Sequence, residues 1–160
     1  MKMIKALMMV LALSVPFAGY AMDSDLQVKY TEALRDGNVK FVKKVLDSGV
    51  DVNEKFFAWS ALQIAADKGK LAVVKVLVQK GADVNYQHPM TKMTAIHLAA
   101  YENFPELVKF LAANGADLSL KLRGDVSIVR AVRDAGNPKM ADLLVSLGVK
   151  DDGCVEEKCF

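Results

Sequence analysis

The chain has 160 residues, which is enough for one domain with a buried core, and its 21 Lys and Arg residues nearly balance its 19 Asp and Glu residues. Lys2 and Lys5 belong to a segment that we expect to be removed, which leaves 19 charges of each sign. Since a neutral chain with interspersed charges attracts neither nucleic acid nor an anionic membrane surface, the composition excludes both as partners.

The first 21 residues have the three parts of a secretory signal peptide. Two lysines precede an apolar stretch over residues 6–15, and a small-x-small cleavage site occupies residues 19–21. The alternative is an uncleaved membrane anchor, but the apolar stretch is shorter than the roughly 20 residues that a transmembrane helix needs. We therefore predict cleavage before Met22 and a soluble protein in a bacterial periplasm.

Helical patterns follow in pairs from residue 24 onward. Ser24 and Gln27 fit a capping box at the start of the first helix, which ends at Gly37. A second helix is predicted over residues 39–46, with Gly49 after its C-terminal end. The same order of helix, turn, helix and glycine recurs three times, over residues 60–81, 94–115 and 127–148.

A short motif opens each of the three later helix pairs. It reads SALQIAA at residues 60–66, TAIHLAA at residues 94–100 and SIVRAVR at residues 127–133. The leading Ser or Thr can cap a helix, and an inward-pointing aliphatic side chain follows it. The glycines that end the pairs are 32, 34 and 33 residues apart, at positions 49, 81, 115 and 148. Such a period indicates a repeat protein.

Three residues at or beside the turns fit the same helix pattern. Asn103 replaces the glycine between two helices, and asparagine is the other residue that tolerates a left-handed backbone. Pro105 and Pro138 fall at first-turn positions, where a helix does not use the missing N–H group.

The stretch GKLAVVKVLVQKGADVN, residues 69–85, together with TAIHLAA closely resembles the ankyrin repeat. The resemblance implies an all-α solenoid of four helix-turn-helix repeats with projecting β-hairpin-like loops, here called fingers. Finger one covers residues 54–59 and finger two covers residues 86–93. The implied repeats of the domain, residues 22–152, span residues 24–53, 54–85, 86–119 and 120–152.

Cys154 and Cys159 are the only cysteines, and both lie in the tail, residues 153–160. In an exported protein they predict a local disulfide. A redox pair and half of a metal site are the alternatives, which the spacing and the lack of a nearby histidine disfavour. We expect the tail to fold over the exposed end of the fourth repeat.

The sequence contains no catalytic motif that would indicate an enzyme. The resemblance gives His97 a structural role in hydrogen bonds between repeats, and His88 has no second metal ligand at a suitable spacing. The aliphatic side chains of the second helices, such as Val73 and Leu107, are interpreted as core rather than as a lipid or cofactor groove. We therefore predict a non-enzymatic protein without a metal or cofactor.

The resemblance also implies a binding surface. In ankyrin proteins the position before the helix cap, the two positions after the Ala-Ala pair and the fingertips face partners. Carried over to this chain, the predicted partner-binding residues are Phe56, Phe57, Trp59, Lys68, Met90, Met93, Tyr101, Glu102 and Arg123. Aromatic and thioether side chains are suited to interfaces. The alternative is that finger one, being short, buries its phenylalanines against the next repeat.

These features predict a monomeric module that binds one periplasmic or secreted protein. Among exported bacterial ankyrin proteins, the resemblance implies an immunity or self-protection role, in which the repeats block the active site of a secreted peptidoglycan hydrolase. Three alternatives stay open: a chaperone or support protein for a periplasmic oxidative-stress enzyme, an exported effector, and a redox enzyme that uses the two cysteines.

Overall fold

The computed structural model describes residues 22–150, so the predicted signal peptide, the predicted Cys154–Cys159 disulfide and the predicted fold of the tail lie outside the described residues. The described residues form eight α-helices and one short hairpin. In chain order these are α1 (Ser24–Asp36), α2 (Val39–Asp47), β1 (Lys55–Phe56), β2 (Trp59–Ser60), α3 (Ala61–Asp67), α4 (Leu71–Gln79), α5 (Ala95–Tyr101), α6 (Pro105–Ala113), α7 (Ile128–Asp134) and α8 (Pro138–Ser146).

The helices stack as four consecutive pairs. The first helices of the pairs, α1, α3, α5 and α7, pack one against the next, and each also packs against its own second helix. A single hydrophobic core runs through all four pairs, from Tyr30 to Leu144, and includes the predicted core positions Val73 and Leu107. The all-α solenoid predicted from the repeats is therefore confirmed.

The motif residues begin α3 and α5 as predicted. Ser60 Oγ accepts from the N–H of Gln63 at 3.2 Å, and the Gln63 side chain accepts from the N–H of Ser60 at 3.0 Å. Thr94 and His97 form the same reciprocal pair at the start of α5. Each pair satisfies two N–H groups that a helix start would otherwise leave without a partner.

The start of α1 differs from the sequence prediction. Asp23 is the capping residue, and its carboxylate accepts from the N–H of Leu26 at 2.8 Å. The predicted capping box at Ser24 and Gln27 is therefore wrong by one residue. The charged carboxylate also interacts favourably with the positive end of the helix dipole, which explains why it caps the helix in place of the hydroxyl.

The turns within the helix pairs agree with the sequence. Asn103 adopts a left-handed backbone with φ of 61°, as predicted for the residue that replaces glycine. Pro105 and Pro138 are the first residues of α6 and α8, which confirms their predicted first-turn positions.

Asparagine side chains connect the loops of successive repeats. Asn85 accepts from the N–H of Asp117 at 2.7 Å and donates to the carbonyl of Gly115 at 3.0 Å. Asn53 accepts in the same way from the N–H of Asp83, at 2.8 Å. Each asparagine therefore uses both ends of its amide to tie its own repeat to the following one.

We expect Asn85→Ala to lower the free energy of unfolding by about 1–2 kcal/mol, because two backbone groups of the next loop lose their partner. Urea denaturation measures this. The matched control is Asn114→Ala, since the Asn114 amide donates to Phe110 within the same repeat. A loss at Asn85 no larger than the loss at Asn114 would contradict a connecting role.

A second connection between repeats is buried. Gln63, which is 1% exposed, donates to the carbonyls of Tyr86 and Met93 in finger two, at 3.1 and 2.7 Å. His97, at the equivalent place in the next repeat, is 2% exposed and bonds through Nε2 to the carbonyl of Leu120 at 3.1 Å. The predicted structural role of His97 is therefore confirmed.

The buried imidazole of His97 makes stability depend on pH. Its Nδ1 accepts from the N–H of Thr94 at 3.2 Å, so the proton is on Nε2 and the ring is neutral. Burial lowers the pKa of His97 from 6.5 to about 4. As the pH falls between these two values, the unfolded chain takes up a proton that the folded chain does not bind, so the folded state loses stability.

We expect His97→Gln to remove most of this pH dependence, because the amide of Gln63 makes the equivalent bonds without titrating. The wild-type chain should lose up to about 3 kcal/mol more than His97→Gln between pH 7 and pH 4. Urea denaturation at a series of pH values measures the difference. All other titratable groups are common to both proteins, so the difference between the profiles isolates His97, and equal pH profiles would refute the prediction.

Candidate functional site

A groove of about 370 Å³ lies between α1, finger one and α3. Its lining combines aromatic, aliphatic and charged side chains from these three elements. They are Thr31 and Arg35 of α1, Phe56, Phe57 and Trp59 of finger one, and Gln63, Ile64, Asp67 and Lys68 of α3 and its C-terminal end. Four of the predicted partner-binding residues are thereby brought together: Phe56, Phe57, Trp59 and Lys68.

The base of the groove is part of the hydrophobic core. Phe56 is 2% exposed, and its ring meets the edge of the Tyr30 ring with centroids 5.7 Å apart. Phe56 therefore cannot serve as an exposed anchor, which corrects its place among the predicted binding residues. It packs on Tyr30 of α1, in the preceding repeat. Trp59 and Ile64 are half-buried and provide the apolar wall.

Finger one is a short β-hairpin, with two residues in each strand and two residues in a strained turn. Phe57 and Ala58 connect β1 to β2, and both have a left-handed backbone, with φ of 52° and 70°. Such turns favour Asn-Gly, because a side chain at positive φ costs about 1–2 kcal/mol per residue. The turn places Phe57 at the rim of the groove with 94% of its surface exposed.

Finger two holds finger one in position. The hydroxyl of Tyr86 donates to the carbonyl of Ala58 at 2.9 Å. Trp59 stacks on the ring of His88 with centroids 4.2 Å apart, and the ammonium of Lys55 lies 4.1 Å from the Tyr86 ring centroid. His88 is itself buried, so its observed contacts are structural.

The charged side chains of the groove leave one positive charge in excess. Lys68 and Asp67 form an ion pair at 2.9 Å. Arg35 is exposed and has no ion-pair partner in the described part of the chain. An acidic group in the groove would therefore meet a favourable field.

The other predicted binding residues do not line this groove. Met90 is 72% exposed and Tyr101 is 55% exposed, while Met93 is half-buried. Glu102 and Arg123 are exposed, and the N–H of Arg123 donates to the carbonyl of Thr91 in finger two at 3.2 Å.

Five residues of the lining are absent from the predicted partner-binding set: Thr31, Arg35, Gln63, Ile64 and Asp67. The signal for Ile64 was present in the motif, because it is a large aliphatic residue between the buried positions Gln63 and Ala65. Its accessibility depends on finger one, which lines the same groove.

Two further properties hold for residues 22–150. They contain no group of three or more His, Cys, Asp or Glu side chains arranged to hold a metal ion. They also contain no helix that is both long and apolar enough to cross a bilayer.

Comparisons with known proteins agree with this architecture. A family model described as ankyrin repeats (3 copies) matches residues 31–122. The ankyrin repeat and KH domain-containing protein mask-1 of Caenorhabditis elegans is 35% identical over 109 residues, which cover 68% of this chain and 4% of that protein. The ankyrin repeat and SAM domain-containing protein 6 of Rattus norvegicus is 32% identical over 121 residues, which cover 72% and 13%.

A bacterial relative is also similar. An ankyrin repeat protein of Rickettsia felis is 25% identical over 118 residues, which cover 74% of this chain and 41% of that protein. The chain thus spans less than half the length of each of these three relatives. Taken with the stack of helix pairs, the matches show that the chain belongs to the ankyrin repeat family, whose repeats are protein-interaction modules and are generally not enzymes.

Proposed function

We propose that the protein is an exported binding module that inhibits a secreted peptidoglycan hydrolase by covering its active site. The observation that carries the binding part is the groove with Phe57 exposed at its rim. A fully exposed aromatic side chain beside an apolar groove is costly in water and is typical of protein interfaces.

The surface beyond the groove supports a large partner. Tyr101 and Met90 are both more than half exposed, and Glu102, Arg123 and Lys68 add charges of both signs. Aromatic and thioether side chains supply most of the binding energy at interfaces, whereas exposed charges set orientation and association rate. This combination favours a folded protein as the partner over a small metabolite.

The sequence supports the cellular setting of the proposal. The signal-peptide pattern of residues 1–21 supports export to the periplasm, where a cell that secretes a peptidoglycan hydrolase needs to protect its own wall. Steric occlusion requires no chemistry from the inhibitor. A stack of repeats with projecting fingers can supply it by filling the cleft of the enzyme.

The test is an assay of the captured partner. The chain from Met22 onward is used to capture periplasmic proteins, and peptidoglycan hydrolysis by the captured protein is measured with and without it. We expect the activity to fall in proportion to a one-to-one complex. An unchanged activity would refute inhibition, and an increased activity would instead indicate a support protein for its partner.

We expect the double variant Phe57→Ser, Tyr101→Ser to weaken inhibition at least tenfold, because interface aromatic side chains commonly contribute about 1–2 kcal/mol or more each. Both side chains are more than half exposed, so the melting temperature should change little. The control is Val28→Ser, since Val28 is 55% exposed and lies outside the predicted surface. Equal inhibition by the double variant and the control would contradict the proposed surface.

A further inference from the structure

We infer that the groove between α1, finger one and α3 binds an extended segment of the partner in which a large apolar side chain is flanked by aspartate or glutamate. The inference rests on the proposed function, because it names the kind of segment that the binding module would hold at this place. It is carried by the shape of the groove, by its charge and by the strained turn at its rim.

The apolar part of the groove fits one or two large side chains. Trp59 and Ile64 form a half-buried wall above the buried ring of Phe56. The volume, about 370 Å³, lies at the lower end of the range for ligand pockets. The groove therefore accepts side chains and not a whole backbone element, and we assign these side chains to an extended segment of the partner.

The charge of the groove favours acidic neighbours for that apolar side chain. Asp67 is paired with Lys68 at 2.9 Å, whereas Arg35 has no ion-pair partner among residues 22–150. A carboxylate beside the apolar side chain could pair with Arg35, and a lysine there would meet a like charge. Because these groups are exposed, the charges select the sequence of the segment more than they add affinity.

The turn of finger one is an independent indication of binding. Phe57 and Ala58 both have positive φ, and neither is a residue that this turn type favours. Stability alone would select Asn-Gly here, yet the chain keeps an aromatic side chain that buries almost none of its surface in the folded protein. Backbone strain of this kind is concentrated at binding sites. Phe57 is therefore positioned to close over a bound apolar side chain.

Trp59 makes the test direct, because it is the only tryptophan of the chain and it lines the groove. The probes are three blocked hexapeptides with the central sequences Glu-Phe-Leu-Glu, Lys-Phe-Leu-Lys and Glu-Ala-Ala-Glu. Fluorescence titration of the chain from Met22 onward measures their binding. We expect the first peptide to bind at least tenfold more tightly than the other two, and to bind more weakly at high salt. Equal binding of the acidic and basic apolar peptides would overturn the inference.

Two variants of the turn distinguish the effect of the Phe57 side chain on peptide binding from the effect of the backbone strain. Ala58→Gly should raise the melting temperature by a few degrees, because glycine accepts positive φ, and should keep peptide binding. The double variant Phe57→Asn, Ala58→Gly should be at least as stable, yet should bind the acidic apolar peptide at least tenfold more weakly. Unchanged binding by the double variant would refute the role of Phe57.

Charge reversal tests the part played by Arg35. We expect Arg35→Glu to weaken binding of the acidic apolar peptide about tenfold and to strengthen binding of the basic one. If the role of Arg35 were purely structural, Arg35→Glu would weaken the binding of both peptides alike. That result would overturn the charge argument.

These experiments also distinguish the inference from the proposed function. If no peptide changes Trp59 fluorescence while the intact chain still inhibits a hydrolase, the groove inference is wrong and the proposed function stands. If the acidic apolar peptide binds but no hydrolase is inhibited, the inference holds and the proposed partner is wrong.

Discussion

The hydrogen bonds that a buried polar side chain makes to the finger of the next repeat hold this stack together and shape its groove. Gln63 lies in the core of α3, and its amide bonds to the carbonyls of Tyr86 and Met93 at both ends of finger two. Finger two in turn holds finger one, through the hydroxyl of Tyr86 and the ring of His88. A side chain that no partner can reach therefore helps to position Phe57.

The type of residue at the position of Gln63 in each repeat matches the hydrogen bonds that the next finger offers. Gln63 and His97 are neutral when buried, and each makes one reciprocal bond within its own helix start and at least one bond to the following finger. The equivalent residue of the fourth repeat is Arg130, a side chain that stays charged in proteins. It lies 3.6 Å from Asp134 in the same helix. A permanent charge would be costly to bury beneath another finger. Within the described residues, no further finger follows α7.

The repeats allowed most of the fold to be predicted, because the period, the caps and the turn residues all indicate the same structure. The two wrong predictions each concern a pair of residues that are adjacent in the sequence. Asp23 and Ser24 can both cap a helix, and only the observed backbone shows which one does. Phe56 and Phe57 are both predicted as partner-binding residues, yet the hairpin puts the first into the core and the second into the turn. Neither Phe57 nor Ala58 is typical of such a turn, so the sequence contains no signal for it.

A strained turn can persist in this chain because, in a solenoid, the free-energy cost of the strain stays within one repeat and its neighbours. Stability in a repeat protein is close to a sum of terms from each repeat and its neighbours, so strain in finger one leaves the distant helix pairs unaffected. The bond from Tyr86 to the Ala58 carbonyl offsets part of the cost locally. Backbone strain in α3 could not be confined in this way, because three helices, α1, α4 and α5, pack against it. This difference in constraint explains why the exposed aromatic side chain of the groove lies in a finger, while Gln63 and His97, the buried residues that bond to the next repeat, lie in helices.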